Sequence, residues 1–224
     1  MVKLLHLISF VLICTTINGQ SNNQLSILET NWKNYLLMED LSDGAENQFF
    51  TIKEDGTFPD LDYSNRQRGN WPLHDHLKRA IEMAKAYKKK ESELYANPEL
   101  LKNIMLAYNF WVNKDIVNDN WWYPQIGVPQ SLGLIMLLMK EEINEVQWNK
   151  GVKIMNRVEF GTKTGQNLVW VSSNIILRSI LVSDATLVLE ASTKIRNEMQ
   201  MVEGGGRFAN RLFFSSTRHT ITIW

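Results

Sequence analysis

The chain has 224 residues, and its 24 Lys and Arg balance its 24 Asp and Glu. That balance argues against a wholesale binder of nucleic acid or of a charged membrane surface, and 44% hydrophobic with 21% charged residues excludes a disordered chain. The single cysteine, Cys14, lies in the N-terminal apolar stretch, so the rest of the chain has no disulfide, thiolate nucleophile or Cys-ligated metal.

Residues 1–19 read as a signal peptide: Lys3 supplies a short positive start, residues 4–16 are mostly apolar and too short to span a bilayer, and Gly19 precedes a polar stretch. The expected location is secreted or periplasmic, and a buried N-terminal helix is the alternative. Bulky Ile13 before Cys14 speaks against a lipidated cysteine. Losing Lys3 leaves a formal charge of about −1. Later runs are all too short to cross a membrane.

Helices are expected over 23–41, with Leu25, Leu28, Trp32, Tyr35 and Leu36 at helical spacing, and over 73–90, with Leu77, Ile81, Ala84 and Tyr87 on one face. Asn97-Pro98-Glu99 is a helix start, Asn97 as cap and Pro98 at the first position, for a helix to about Val112. Further helices are expected over 129–139, 143–158, 168–181 and 185–199, the last two joined by a Ser183-Asp184 turn and cap. Strand signals are sparse, so the fold class is all-α, built of antiparallel helical hairpins. Residues 42–73 and 113–128 remain as two long loops, a length that tends to be functional.

The most informative stretch is Asn118-Asp119-Asn120-Trp121-Trp122-Tyr123-Pro124. Three adjacent aromatics in a polar loop cannot all be buried on one face. One reading is a platform on which sugar rings stack, with the Asn118 and Asn120 amides bonding hydroxyls; the other is a loop pinned to the core by one Trp. Thr162-Lys163-Thr164-Gly165-Gln166-Asn167 is a polar turn feeding a helix that starts near Asn167 or Leu168. It is either an N-cap and nothing more, or it places the Asn167 amide at a pocket rim, donating to an anion. His74-Asp75-His76 lacks an acidic ligand at metal spacing and reads as a helix start with Asp75 near its N-terminus; no metal site is expected. The run from Lys88 to Lys90 reads as a solvated helix end. No phosphate-binding loop, dinucleotide fingerprint or Ser-His-Asp order is present, and no cofactor is expected.

Asn120-Trp121-Trp122, Ile126-Gly127-Val128-Pro129-Gln130 and Thr164-Gly165-Gln166-Asn167 together resemble the N-terminal toroid of the family-eight polysaccharide lyases, the chondroitin AC, hyaluronate and xanthan lyases. Asp55-Gly56-Thr57-Phe58, Asn70-Trp71, Arg178-Ser179-Ile180-Leu181 and Asp184-Ala185 fit the same pattern, and the likeness covers about residues 25–203. The resemblance implies an incomplete (α/α) toroid over residues 20–203 and cleavage of an acidic polysaccharide of chondroitin, hyaluronan or xanthan type by β-elimination. It gives Asn167 the role of a catalytic amide that binds the uronate carboxylate, Trp121 and Trp122 that of an aromatic patch positioning the sugar chain, and Asn120 that of a substrate contact. In the family a Tyr helped by His acts as base and then acid. Trp170 stands where the family often has Asp, which leaves the polysaccharide open.

The family's His and Tyr lie in a segment similar to DYSFHQHGPQL, which residues 204–224 do not spell. Back-translated from Arg211 with permitted codons and read one nucleotide later, they spell D-Y-S-F-H-Q-H-G-T-Q-L-Q-Y-G. The expectation is an out-of-frame tail over 204–224, with a genuine short tail as the alternative. The 224 residues are then the front of a secreted lyase, inactive alone; the alternative function is a non-catalytic carbohydrate-binding helical module.

Overall fold

Most of the apolar runs at helical spacing form helices in the computed structural model, which describes residues 21–198. The signal-peptide reading of residues 1–19 and the out-of-frame reading of 204–224 lie outside the described residues. The helices are α1 (Ser21–Met38), α2 (His74–Lys88), α3 (Pro98–Lys114), α4 (Val128–Leu138), α5 (Glu145–Met155), α6 (Gly165–Leu181) and α7 (Ala185–Glu198). A short 3₁₀ turn covers Ala45–Gln48, a π turn covers Tyr123–Gly127, and no strand occurs among the described residues.

The chain divides into two compact units. Residues 29–158 form one, and residues 21–28 together with 159–198 form the other. In the first, α2 packs on α3 and α4, and α5 packs on the same two helices. Ten of the eleven α4 residues are buried, so this helix lies at the centre of its unit and is apolar all round. Around it Leu77, Met83, Ile104, Tyr108 and Trp111 are inaccessible to solvent. In the second unit α6 and α7 pair as a hairpin. Asp184 caps α7, its carboxylate accepting from the Leu187 N–H at 3.1 Å.

Local chemistry sets the helix ends. Asn97 accepts from the Glu99 and Leu100 N–H groups, both at 3.0 Å, ahead of Pro98. Asn144 caps α5 through the Gln147 N–H at 3.0 Å, so that helix begins after Ile143. Lys88 and Lys89 are not a solvated end: Lys88 meets Glu142 at 2.7 Å, and Lys89 donates to the Glu39 carbonyl at 3.3 Å. Their partners lie about 50 residues away, beyond the reach of a helix-end argument.

The long stretch between α1 and α2 is ordered by its own turns and by bonds to the elements around it. Asp55 accepts from the Thr57 N–H at 2.9 Å and from its hydroxyl at 2.6 Å. Gly56, at φ +83°, lies so close to α3 that a Cβ would stand 2.7 Å from Phe110 Cβ. Phe58 is buried, and its N–H donates to the Tyr63 hydroxyl at 2.9 Å. That hydroxyl lies 2.8 Å from His76 Nδ1, while His76 Nε2 lies 2.9 Å from the Ala107 carbonyl. A carbonyl only accepts, so Nε2 carries the proton and Nδ1 accepts from Tyr63. Burial pushes the Tyr63 phenol up to about 12 and the His76 imidazole down to about 4, so both stay neutral around pH 7.

Candidate functional site

The aromatic stretch is less of a loop than its polarity suggests. α3 ends at Asp115 in a left-handed conformation, φ 48°, whose carboxylate pairs with the Arg157 guanidinium. From Trp122 onward the backbone is helical, and the π turn runs straight into α4. Pro129 explains the wider turn: it has no N–H for the Gln125 carbonyl, and its ring would press on that carbonyl in a regular α-helix. The bond that closes the turn runs from the Val128 N–H to the Tyr123 carbonyl, five residues back. Gln125 Nε2 donates to the Arg157 carbonyl at 2.7 Å and ties the turn to the end of α5.

The core anchor is Tyr123 rather than a Trp. It is buried, its hydroxyl accepts from the Trp71 N–H at 2.7 Å, and it packs edge-on against Trp71 and His74. Trp121 is 47% exposed, and Trp122 is half-buried. The Trp122 ring lies over Gly127, where an added Cβ would fall 3.0 Å from Cη2 and 3.1 Å from Cε3. Beneath the turn, His74 Nε2 sits 3.0 Å from both the Gly127 carbonyl and the Ser131 hydroxyl, and the imidazole meets the Trp122 ring edge-on at 6.1 Å. Burial lowers the His74 pKa to about 4, so a neutral ring supports the turn. The helix-start reading of His74-Asp75-His76 holds, and it missed that both imidazoles fasten loops. Among the described residues no three His, Cys, Asp or Glu gather to hold a metal ion.

Both asparagines of the stretch make hydrogen bonds within the protein. Asn118, 2% exposed, donates to the Gln67 carbonyl at 2.9 Å and accepts from the Asn120 N–H at 2.8 Å. Asn120 donates to the Arg68 carbonyl at 2.8 Å and accepts from the Trp122 N–H at 3.1 Å. The Asn118 amide is thus a buried strut. The Asn120 amide holds the platform to its neighbouring loop, with its second N–H left over from these bonds. Asn120, Trp121 and Trp122 are therefore brought together on one turn.

Asn167 lies in the other compact unit. It is not a cap: α6 begins two residues earlier, at Gly165, and Thr164 is the preceding residue with no side-chain cap bond. Gly165 takes φ +58°, which explains the glycine, and its N–H donates to the Glu198 carboxylate at the far end of α7. That places Asn167 half-buried in the first turn of α6. There a side-chain amide lies where helix N–H groups and the macrodipole favour an anion.

The model of polysaccharide lyase family 8, N-terminal alpha-helical domain, matches residues 20–218. Chondroitinase-AC of Pedobacter heparinus is 30% identical over 161 residues, 70% of this chain and 23% of that protein. A chondroitinase AC lyase structure, solved with oligosaccharides, superposes with a TM-score of 0.72 at 27% identity, covering 80% of this chain and 27% of that one. A Paenibacillus xanthan lyase structure shares the fold with a TM-score of 0.67 at 22% identity over 85% of this chain and 20% of its own. The chain thus spans about a quarter of the length of these relatives. Its all-α hairpins are those of the (α/α) toroid. The chain belongs to polysaccharide lyase family 8, with the N-terminal α-helical domain of that family.

Proposed function

We propose that this domain serves a secreted lyase that cleaves an acidic polysaccharide, of chondroitin, hyaluronan or xanthan type, by β-elimination. The observation that carries the reading is the pair of indoles presented by the π turn, one exposed and one set on Gly127, over a base of neutral buried groups. Apolar sugar faces stack on such rings. Asn167 donates its amide to the uronate carboxylate and strengthens that bond as charge builds after loss of the neighbouring proton. A neutral donor suits this task, because it needs no counter-ion and changes no charge through the reaction.

Residues 204–224 do not spell the segment in which the family resemblance places His and Tyr. On this reading residues 1–19 direct export, and the 224-residue chain binds glycan without turning it over. The test uses chondroitin, hyaluronan and xanthan with the purified chain. Binding lost on Trp122→Ala, with no ultraviolet-absorbing unsaturated product, is the expected result. Turnover on the order of a few per second refutes the inactivity, and tryptophan fluorescence indifferent to all three glycans refutes the platform.

A further inference from the structure

The loop from Asn65 to Trp71 is built onto the aromatic turn. Asn118 and Asn120 donate their amides to the Gln67 and Arg68 carbonyls, and the Trp71 N–H donates to the Tyr123 hydroxyl. Within the loop, Trp71 Nε1 donates to the Asn65 carbonyl at 3.1 Å and Gln67 Nε2 to the Gly69 carbonyl at 2.6 Å. A surface segment of Arg, Gln, Arg and Gly is ordinarily mobile. Here cross-bonds from one buried and one half-buried asparagine fix it as a rim beside Trp121 and Trp122.

That rim carries Arg68. Its side chain is exposed, and among the described residues no hydrogen bond or ion pair engages its guanidinium. Other arginines of this unit are occupied. Arg79 grips Asp60 at 2.7 and 2.5 Å, Arg157 pairs with Asp115, and Arg66 donates to the Tyr63 and Asn65 carbonyls. Asp119, the carboxylate of the aromatic stretch, is exposed and makes no ion pair with Arg68. A permanently charged planar fork without a carboxylate, on a fixed rim beside exposed indole, is matched to a carboxylate or a sulfate.

We propose that Arg68 is a specificity-determining residue: it receives the anionic substituent of a sugar stacked at Trp121 and so selects acidic over neutral glycans. This rests on the platform reading of Trp121 and Trp122, and it assigns the selection of charge to a residue outside the aromatic motif.

The experiment titrates the full chain with three oligosaccharides: hyaluronan, which carries carboxylates only; chondroitin 4-sulfate, which carries both groups; and desulfated, carboxyl-reduced chondroitin, which carries neither. Arg68→Ala is expected to keep the melting temperature, to weaken both anionic ligands about tenfold, as loss of one charge-assisted hydrogen bond implies, and to flatten their salt dependence. The neutral oligosaccharide should bind wild type and variant alike. Arg68→Lys should fall between, since it keeps the charge and loses the fork. Weakening of both anionic ligands supports the proposal with a carboxylate as partner, and weakening of chondroitin 4-sulfate alone supports it with a sulfate. If Arg68→Ala binds all three as wild type does while Trp122→Ala loses them, the proposal is overturned and the platform stands. If Trp122→Ala also binds normally, the platform reading fails and the proposal with it.

Discussion

Gly127→Ala tests whether the indole of Trp122 is held by its contact with the backbone. The added methyl would stand 3.0 Å from Cη2, 3.1 Å from Cε3 and closer still to Cζ3. Carbon atoms rest at about 3.5–4.0 Å, so the ring must retreat by about an ångström. φ at Gly127 is −64°, so the alanine itself is unstrained and the whole penalty is the collision. Overpacking of this kind costs about 1–3 kcal/mol, which for a domain of this size lowers the melting temperature by about 2–12 °C. A displaced Trp122 also loses its edge contact with His74, so glycan affinity falls together with stability. Calorimetry, tryptophan emission and glycan titration read the three effects. Gly69→Ala is the matched control, since a Cβ there meets nothing within 4 Å. If Gly127→Ala melts, emits and binds as wild type does, the account of Trp122 is wrong.

Acid should loosen the platform before it unfolds the carboxylate pairs. His74 and His76 are held near 4 against an ordinary 6.5, so the unfolded chain binds protons that the folded chain refuses, and stability falls as pH drops from about 6.5 to about 4. Each imidazole contributes roughly 3 kcal/mol to that loss, measurable as a decline in melting temperature over this window. A melt unchanged between pH 7 and 4.5 would sink the assignment. Asp60, held below its usual value by Arg79, adds its own loss only at lower pH. Asn118→Ala removes a buried donor and acceptor together and should cost about 1–3 kcal/mol. It should also speed proteolysis within residues 65–71, and a variant as stable and protease-resistant as wild type contradicts the strut.

Local chemistry was legible in the sequence where cause and effect are close. Asn97 with Pro98, and Asp184 beside Ser183, mark helix starts through bonds two or three residues long. The run Asn120-Trp121-Trp122 with Ile126-Gly127 pointed to the family without any knowledge of packing. What could not be read is set by partners far along the chain. Asn118 and Asn120 bond carbonyls 51 and 52 residues upstream, so amides that read as free to bind hydroxyls are partly engaged in architecture. Residues 122–127 carry polar groups and a proline and so read as loop, yet the wider turn lets the helix continue through them. Asn167 read as a helix start because nothing local shows that the Glu198 carboxylate receives the Gly165 N–H.

The π turn also sets the direction in which the indoles point. Each residue of an α-helix advances the side chain by about 100° around the axis. A turn that closes over five residues instead of four therefore shifts the phase of everything before it relative to α4. α4 is buried on all sides and cannot rotate without losing its packing. The single extra residue thus acts as an aiming device: it sets the azimuth of Trp121 and Trp122 independently of the helix that anchors them. Deleting Gln125, the one residue of the turn outside both sequence motifs, would keep both indoles and turn them about a quarter of the way around the axis.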